Sequence, residues 1–171
     1  MSSATQPGSG VDVSFCLQTG GDDCVDEREL VRNLDDYRTS LKANTRLDGA
    51  IVITAPGGPT VEYEDEVPPA VQDLCFGSIP DLAAGKTVDI TTFSYPGKLR
   101  LVPQGDGVLI SGDVVPTTRL PLRPLLKSLY DCGQRFIIFA RQLKGNEYEH
   151  VLTPLEARGR AAAEVLDKVD R

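Results

Sequence analysis

The chain has 171 residues, about the length of one globular domain, and its 40% hydrophobic and 25% charged content excludes wholesale disorder. Asp plus Glu number 25 against 18 for Lys plus Arg, a formal charge of −7. That surplus speaks against nucleic acid, whose binding rests on basic side chains neutralising phosphates, and against an anionic lipid surface.

Residues 1–10 form a Ser/Gly/Pro-rich stretch with no basic start and no apolar signal core, and read as a flexible tail ahead of a single domain spanning 11–171. Val11, Val13 and Phe15 alternate with Asp12 and Ser14, the period of two of a half-buried strand. Gly20-Gly21-Asp22-Asp23 breaks it. From Asp26 the period turns helical, with Leu30, Leu34, Tyr37 and Leu41 on one face and Asp26 with Glu29 as the N-terminal cap. Ile51 to Ile53 read as a strand ended by Pro56-Gly57-Gly58-Pro59, and Val61 to Tyr63 as its hairpin partner. Pro68-Pro69 opens a short helix with Val71, Leu74 and Cys75 as its apolar stripe.

Residues 87–112 read as a meander of three antiparallel strands. Val88, Ile90 and Thr92 belong to the first, Leu99 and Leu101 to the second, and Val108 and Ile110 to the third, with turns at Tyr95-Pro96-Gly97 and Gln104-Gly105-Asp106-Gly107. Leu122, Leu125, Leu126 and Leu129 predict a helix from Pro121 to Cys132, with Gly133 as its stop. Phe136-Ile137-Ile138-Phe139 then reads as a central strand covered on both faces, and Tyr148 to Val151 as a short return strand. Truncating Leu125, Leu129 or Ile138 should accordingly open a core cavity. Thr153-Pro154-Leu155-Glu156 predicts the start of a last helix carrying Ala162, Val165, Leu166 and Val169. The expected fold class is α+β: a mainly antiparallel sheet with helices packed on it.

Cys16, Cys24, Cys75 and Cys132 form no CxxC pair, and the single histidine is His150, so neither a disulfide framework nor a zinc site is expected. Free thiols behaving as small hydrophobes in a cytoplasmic protein are the reading, with no cofactor or metal. Gly85-Lys86-Thr87 echoes the end of a phosphate loop, but Pro80 stands where the first glycine is required and a strand follows. Gly105-Asp106-Gly107 lacks the third glycine of a dinucleotide fingerprint, the position being Ile110. Asp22, Asp23 and Asp26 lack the spacing of a calcium loop.

Glu62, Glu64, Asp65 and Glu66 are the densest acidic run. In an extended segment Glu62, Glu64 and Glu66 share one face, which would suit a solvated edge that resists aggregation, a cation site, or recognition of a basic protein. Four carboxylates so close repel one another, which predicts that all of them stay at the surface. Arg119, Arg123, Lys127, Arg135 and Arg141 crowd a later region and read as helix-surface charge. Two functions follow. The first is a non-catalytic domain that binds a basic protein partner through Glu62, Glu64, Asp65 and Glu66, as an inhibitor of the immunity or antitoxin type would. The alternative is a small enzyme built on cysteine or carboxylate chemistry, marked by a deep pocket around His150 or a cysteine.

Overall fold

Alternation at the start of the chain produces β1 (Asp12–Gln18), which buries Val13, Phe15 and Leu17 and exposes Asp12 and Gln18. The computed structural model describes residues 10–21, 23–94, 97–113 and 115–171. The expected tail up to Ser9, Asp22, and the Tyr95-Pro96 part of the expected turn lie outside the described residues. β1 pairs antiparallel with the three-residue β2 (Cys24–Asp26) and with β3 (Asp48–Thr54), and β3 pairs with β4 (Thr60–Glu66), giving the order β2-β1-β3-β4. The expected hairpin over 51–63 is therefore present. Helix α1 (Glu27–Arg32) follows β2, capped by Asp26, whose carboxylate accepts the Glu29 N–H at 2.9 Å. The helical run expected from Asp26 is two helices, because the chain leaves helical geometry at Asn33 before α2 (Leu34–Ala43).

After β4 come α3 (Val67–Ala70), a π-helical turn over Val71–Phe76 and α4 (Ser78–Ala83), in which Val71, Leu74 and Cys75 are buried as the apolar stripe requires. The meander is β5 (Val88–Thr91), β6 (Lys98–Gln104) and β7 (Gly107–Gly112), extended by an unexpected fourth strand, β8 (Thr118–Pro121), into a second antiparallel sheet in sequential order. Gly105 turns β6 into β7 with φ of 61°, a left-handed conformation that glycine adopts without a side-chain clash. The fold is α+β.

Two expectations for the C-terminal third are corrected. Helix α5 (Leu122–Lys144) runs straight through Gly133, so Phe136 to Phe139 is helix and not a central strand. Leu125, Leu129, Cys132, Phe136, Phe139 and Leu143 recur every three or four residues and are buried, whereas Ile138 points outward at 57% exposure. A four-residue apolar run cannot by itself distinguish a strand from one turn of a helix that is packed on several sides. α5 meets β1 on one side and β7 and β8 on another, and the Phe15 ring lies 5.3 Å from both Phe136 and Phe139. The return strand is also absent: a 3-10 turn over Gly145–Tyr148 leads into α6 (Glu149–Val169). Pro154 consequently sits inside that helix instead of opening it. The glycine that ends α5 is Gly145, with φ of 63°.

Gly133 has a packing role. A Cβ there would stand 2.5 Å from the ring of Phe76, and one at Gly159 of α6 would stand 3.3 Å from the same ring. Phe76, 1% exposed, thus wedges between two helices at positions without side chains. Gly133→Ala is expected to destabilise the protein by about 1–3 kcal/mol through overpacking, despite alanine's better helix propensity. Urea unfolding at equal or higher midpoint would show that the Phe76 ring yields.

Candidate functional site

The register of the first sheet separates its two faces. Opposed residues share a face, so Val13, Ile53 and Val61 form one inward row, and Phe15, Ile51 and Tyr63 the next. These rows meet α5. The outward rows are Asp26, Cys16, Ala50 and Glu64, and beside them Ser14, Val52 and Glu62. Asp12, Asp26, Glu62 and Glu64 are exposed around the small side chains of Cys16 and Ala50. No outward position of the four strands holds Lys or Arg.

The structure splits the acidic run. Glu62 and Glu64 are exposed on the outward face, but the expectation that all four carboxylates stay at the surface is corrected for Asp65 and Glu66. Asp65 points inward, 1% exposed, and accepts the backbone N–H groups of Phe93 at 2.6 Å and Ser94 at 2.9 Å. Glu66 faces outward at the end of β4 opposite Asp48 and is 7% exposed, with Arg46 3.6 Å from its carboxylate and 3.3 Å from that of Asp48. Burial of Asp65 is offset by its two amide donors, whereas Glu66 has only the Arg46 cation beside one oxygen, and its Oε2, like Oδ1 of Asp48, is buried without a hydrogen-bond partner among the described residues. The signal for Asp65 lay in its alternation with Glu64 and Glu66. Its partners, 28 and 29 residues away, were beyond local reading.

The free edge of β1 beyond β2 is covered from α5. Arg135 donates to the Val13 carbonyl at 2.7 Å and pairs with the buried Glu27 of α1 at 2.5 Å, while Ser128 donates to the Val11 carbonyl at 2.6 Å. Between this edge, α1 and α5 lies an open cleft of about 820 Å³, reached by Asp12, Ser14 and Asp26 from the sheet and by Arg28 and Arg32 from α1. Its apolar wall includes Val31 and Ile138, exposed at 56% and 57%. The acidic face and the apolar cleft therefore adjoin at Asp12 and Asp26.

Most of the basic residues expected to crowd one region are paired and spread out. Arg119 meets Asp106 at 3.0 Å, Lys127 meets Asp131 at 3.6 Å, and Arg141 binds Glu149 at 2.9 Å and also Glu156. His150 is exposed at the start of α6, its Nδ1 3.0 Å from the Glu147 carbonyl. Neither His150 nor any cysteine lines this cleft or two smaller ones elsewhere on the described surface. The four cysteines are free, with Cys16, Cys75 and Cys132 buried and Cys24 exposed. Among the described residues no group of three His, Cys, Asp or Glu is placed to hold a metal ion, and no helix is long and apolar enough to cross a membrane. Scans of family models, curated proteins and solved structures find no match to the chain.

Proposed function

We propose that the protein is a non-catalytic binding domain that recognises a basic protein through the outward face of its first sheet, as an inhibitor of the immunity or antitoxin type would. The observation that carries this reading is the absence of any Lys or Arg from the outward strand positions, which leaves Glu62 and Glu64 as an anionic centre on the sheet face, with Asp12 and Asp26 at the cleft margin that Arg28, Arg32 and Arg135 also reach. Such a field steers a cationic partner and speeds encounter. The adjoining cleft adds exposed Val31 and Ile138, the apolar element that a stable protein interface needs within a polar rim. Asp65 and Glu66 take no part in contact: Asp65 holds the Phe93 and Ser94 backbone amides, and Glu66 sits beside Arg46.

The test compares the wild type with Glu62→Gln/Glu64→Gln, which keeps shape and removes charge. A basic protein captured on the wild type should associate at least about fivefold more slowly with the variant at low salt, and the salt dependence should flatten. Equal association at low salt would reject the reading. β4 is also a sheet edge, so the same charges favour a second role in blocking edge-to-edge pairing. That role predicts concentration-dependent aggregation of the variant, read by light scattering.

A further inference from the structure

The four cysteines are arranged as two neighbouring pairs. Cys75, in the π-helical turn, and Cys132, on α5, lie within hydrogen-bonding reach of each other and are both 0% exposed. Cys16 and Cys24 make the other pair, at the edge of the first sheet. Cys16 stands opposite Asp26, and Cys24 opposite Gln18, so the two cysteines project on the same face as diagonal neighbours across β1 and β2. Their thiols are also within hydrogen-bonding reach, and Cys24 is exposed while Cys16 beneath it is 7% exposed.

We propose that Cys24 and Cys16 are a hydroperoxide-reactive dithiol that closes reversibly into a disulfide and pins β2 to β1. Cys24 is the attacking sulfur because it is the exposed member. The hydrogen bond from Cys16 also draws its thiol below the ordinary range, against the opposing effects of burial and of Glu64, Glu62 and Asp23. The Cys16 thiol is pushed up by the same hydrogen bond and by burial, which suits a resolving thiol that stays protonated until its partner is oxidised.

In the first step the Cys24 thiolate attacks one peroxide oxygen. A sulfur–oxygen bond forms, the oxygen–oxygen bond breaks, and the leaving hydroxide or alkoxide takes up the proton that Cys24 had released. Cys24 is then a sulfenic acid. The Cys16 sulfur next attacks the Cys24 sulfur and gives up its proton. The disulfide forms, the sulfur–oxygen bond breaks, and the departing hydroxide leaves as water. Two thiols lose two electrons in all, and one hydroperoxide is reduced to water and an alcohol, or to two waters when it is hydrogen peroxide.

A diagonal strand pair lies somewhat beyond the backbone separation a disulfide usually spans, so the Cys24 backbone must move inward to close it. It is the first residue of a three-residue edge strand that pairs only with β1, which makes that movement inexpensive. Closure would fix β2 and, through the Asp26 cap, the start of α1 that walls the cleft.

The experiment exposes the reduced full chain to hydrogen peroxide, then alkylates it under denaturing conditions and maps the peptides by mass. The expected product carries two alkyl groups fewer than the untreated chain, and its segment holding Cys16 and Cys24 is about 2 Da lighter than the unalkylated reduced segment, through a crosslink that dithiothreitol removes. Both thiols should be lost at least about tenfold faster than Cys75 and Cys132 in the same sample, since those are sealed from solvent. In Cys16→Ser, Cys24 should still oxidise, but beyond the sulfenic stage or to a bridge between two chains; in Cys24→Ser, Cys16 should stay alkylatable. The proposal is overturned if wild-type Cys24 overoxidises while Cys16 remains free. It is equally overturned if all four thiols are lost at one rate, or if the Cys24→Ser chain loses Cys16 as fast as the wild type does.

Discussion

Truncation of Leu125 or Leu129 to alanine is expected to cost about 2–5 kcal/mol of stability, whereas Ile138→Ala changes it by no more than about 0.5 kcal/mol. Both leucines are 0% exposed on α5, between the two sheets. Removing three carbons there forfeits their transfer out of water and leaves a cavity that neighbours held on every side cannot collapse to fill. Ile138 lies on the same helix only nine residues beyond Leu129, but 57% of its surface is already in water. Its truncation removes part of the cleft wall and none of the core. Urea unfolding of the three variants checks this ordering. An Ile138→Ala loss equal to that of the leucines would place the Phe136–Phe139 segment in a covered element after all.

That comparison isolates where the sequence was legible. Strands with one wet face declared themselves: Val13 and Phe15 against Asp12 and Ser14, or Ile90 against Asp89 and Thr91, alternate because one side meets the core and the other meets water. The meander was readable for the same reason, together with its turn glycines. β8 was missed, although Thr118 and Leu120 are buried around the exposed Arg119 in the same alternation, because four residues give the pattern only two beats. α5 failed differently. It is packed by β1, the π-helical turn, α6, β7 and β8, so its apolar positions cover much of its circumference and the helical period blurs into a run. Gly133 then looked like a stop because glycine usually has a conformational reason to be where it is. Here the reason is the Phe76 ring, 57 residues earlier in the chain.

The candidate site was legible as charge but not as geometry. Extended backbone was enough to put Glu62 and Glu64 on one face and Asp65 on the other. It could not place the Asp12 and Asp26 carboxylates beside them, since that depends on the order β2-β1-β3-β4. Nor could it show that Val31 and Ile138, more than a hundred residues apart on two different helices, wall one cleft. A charge run in sequence is a sum of side chains with separate employments: two of these four carboxylates are exposed, Asp65 points inward, and Glu66 is buried on the outward face.

Asp65→Ala is therefore expected to act on stability and not on partner binding, at a cost of about 1–3 kcal/mol. The carboxylate is the acceptor for two successive amides, Phe93 N–H and Ser94 N–H, and it ties the connection between β5 and β6 to the end of β4 in the other sheet. Hydrogen bonds to a charged acceptor are stronger than neutral ones, and alanine leaves both donors without it. The cost stays below that of two fully buried orphans because Phe93 and Ser94 are themselves exposed, so water reaches them once the carboxylate is gone. Glu64→Ala, one residue away on the outward face, should change stability by no more than about 0.5 kcal/mol. Amide hydrogen exchange is the more specific measurement. In Asp65→Ala the Phe93 and Ser94 amides should lose protection at least about tenfold, while amides paired across β3 and β4 keep theirs. Asp65→Asn separates charge from shape: its single carbonyl oxygen can accept one of the two amides, so one should stay protected and the other should not. Unchanged exchange at both amides in Asp65→Ala would mean that the 92–94 segment is held by something other than this carboxylate, and the division of the acidic run into a contact pair and a structural pair would fail.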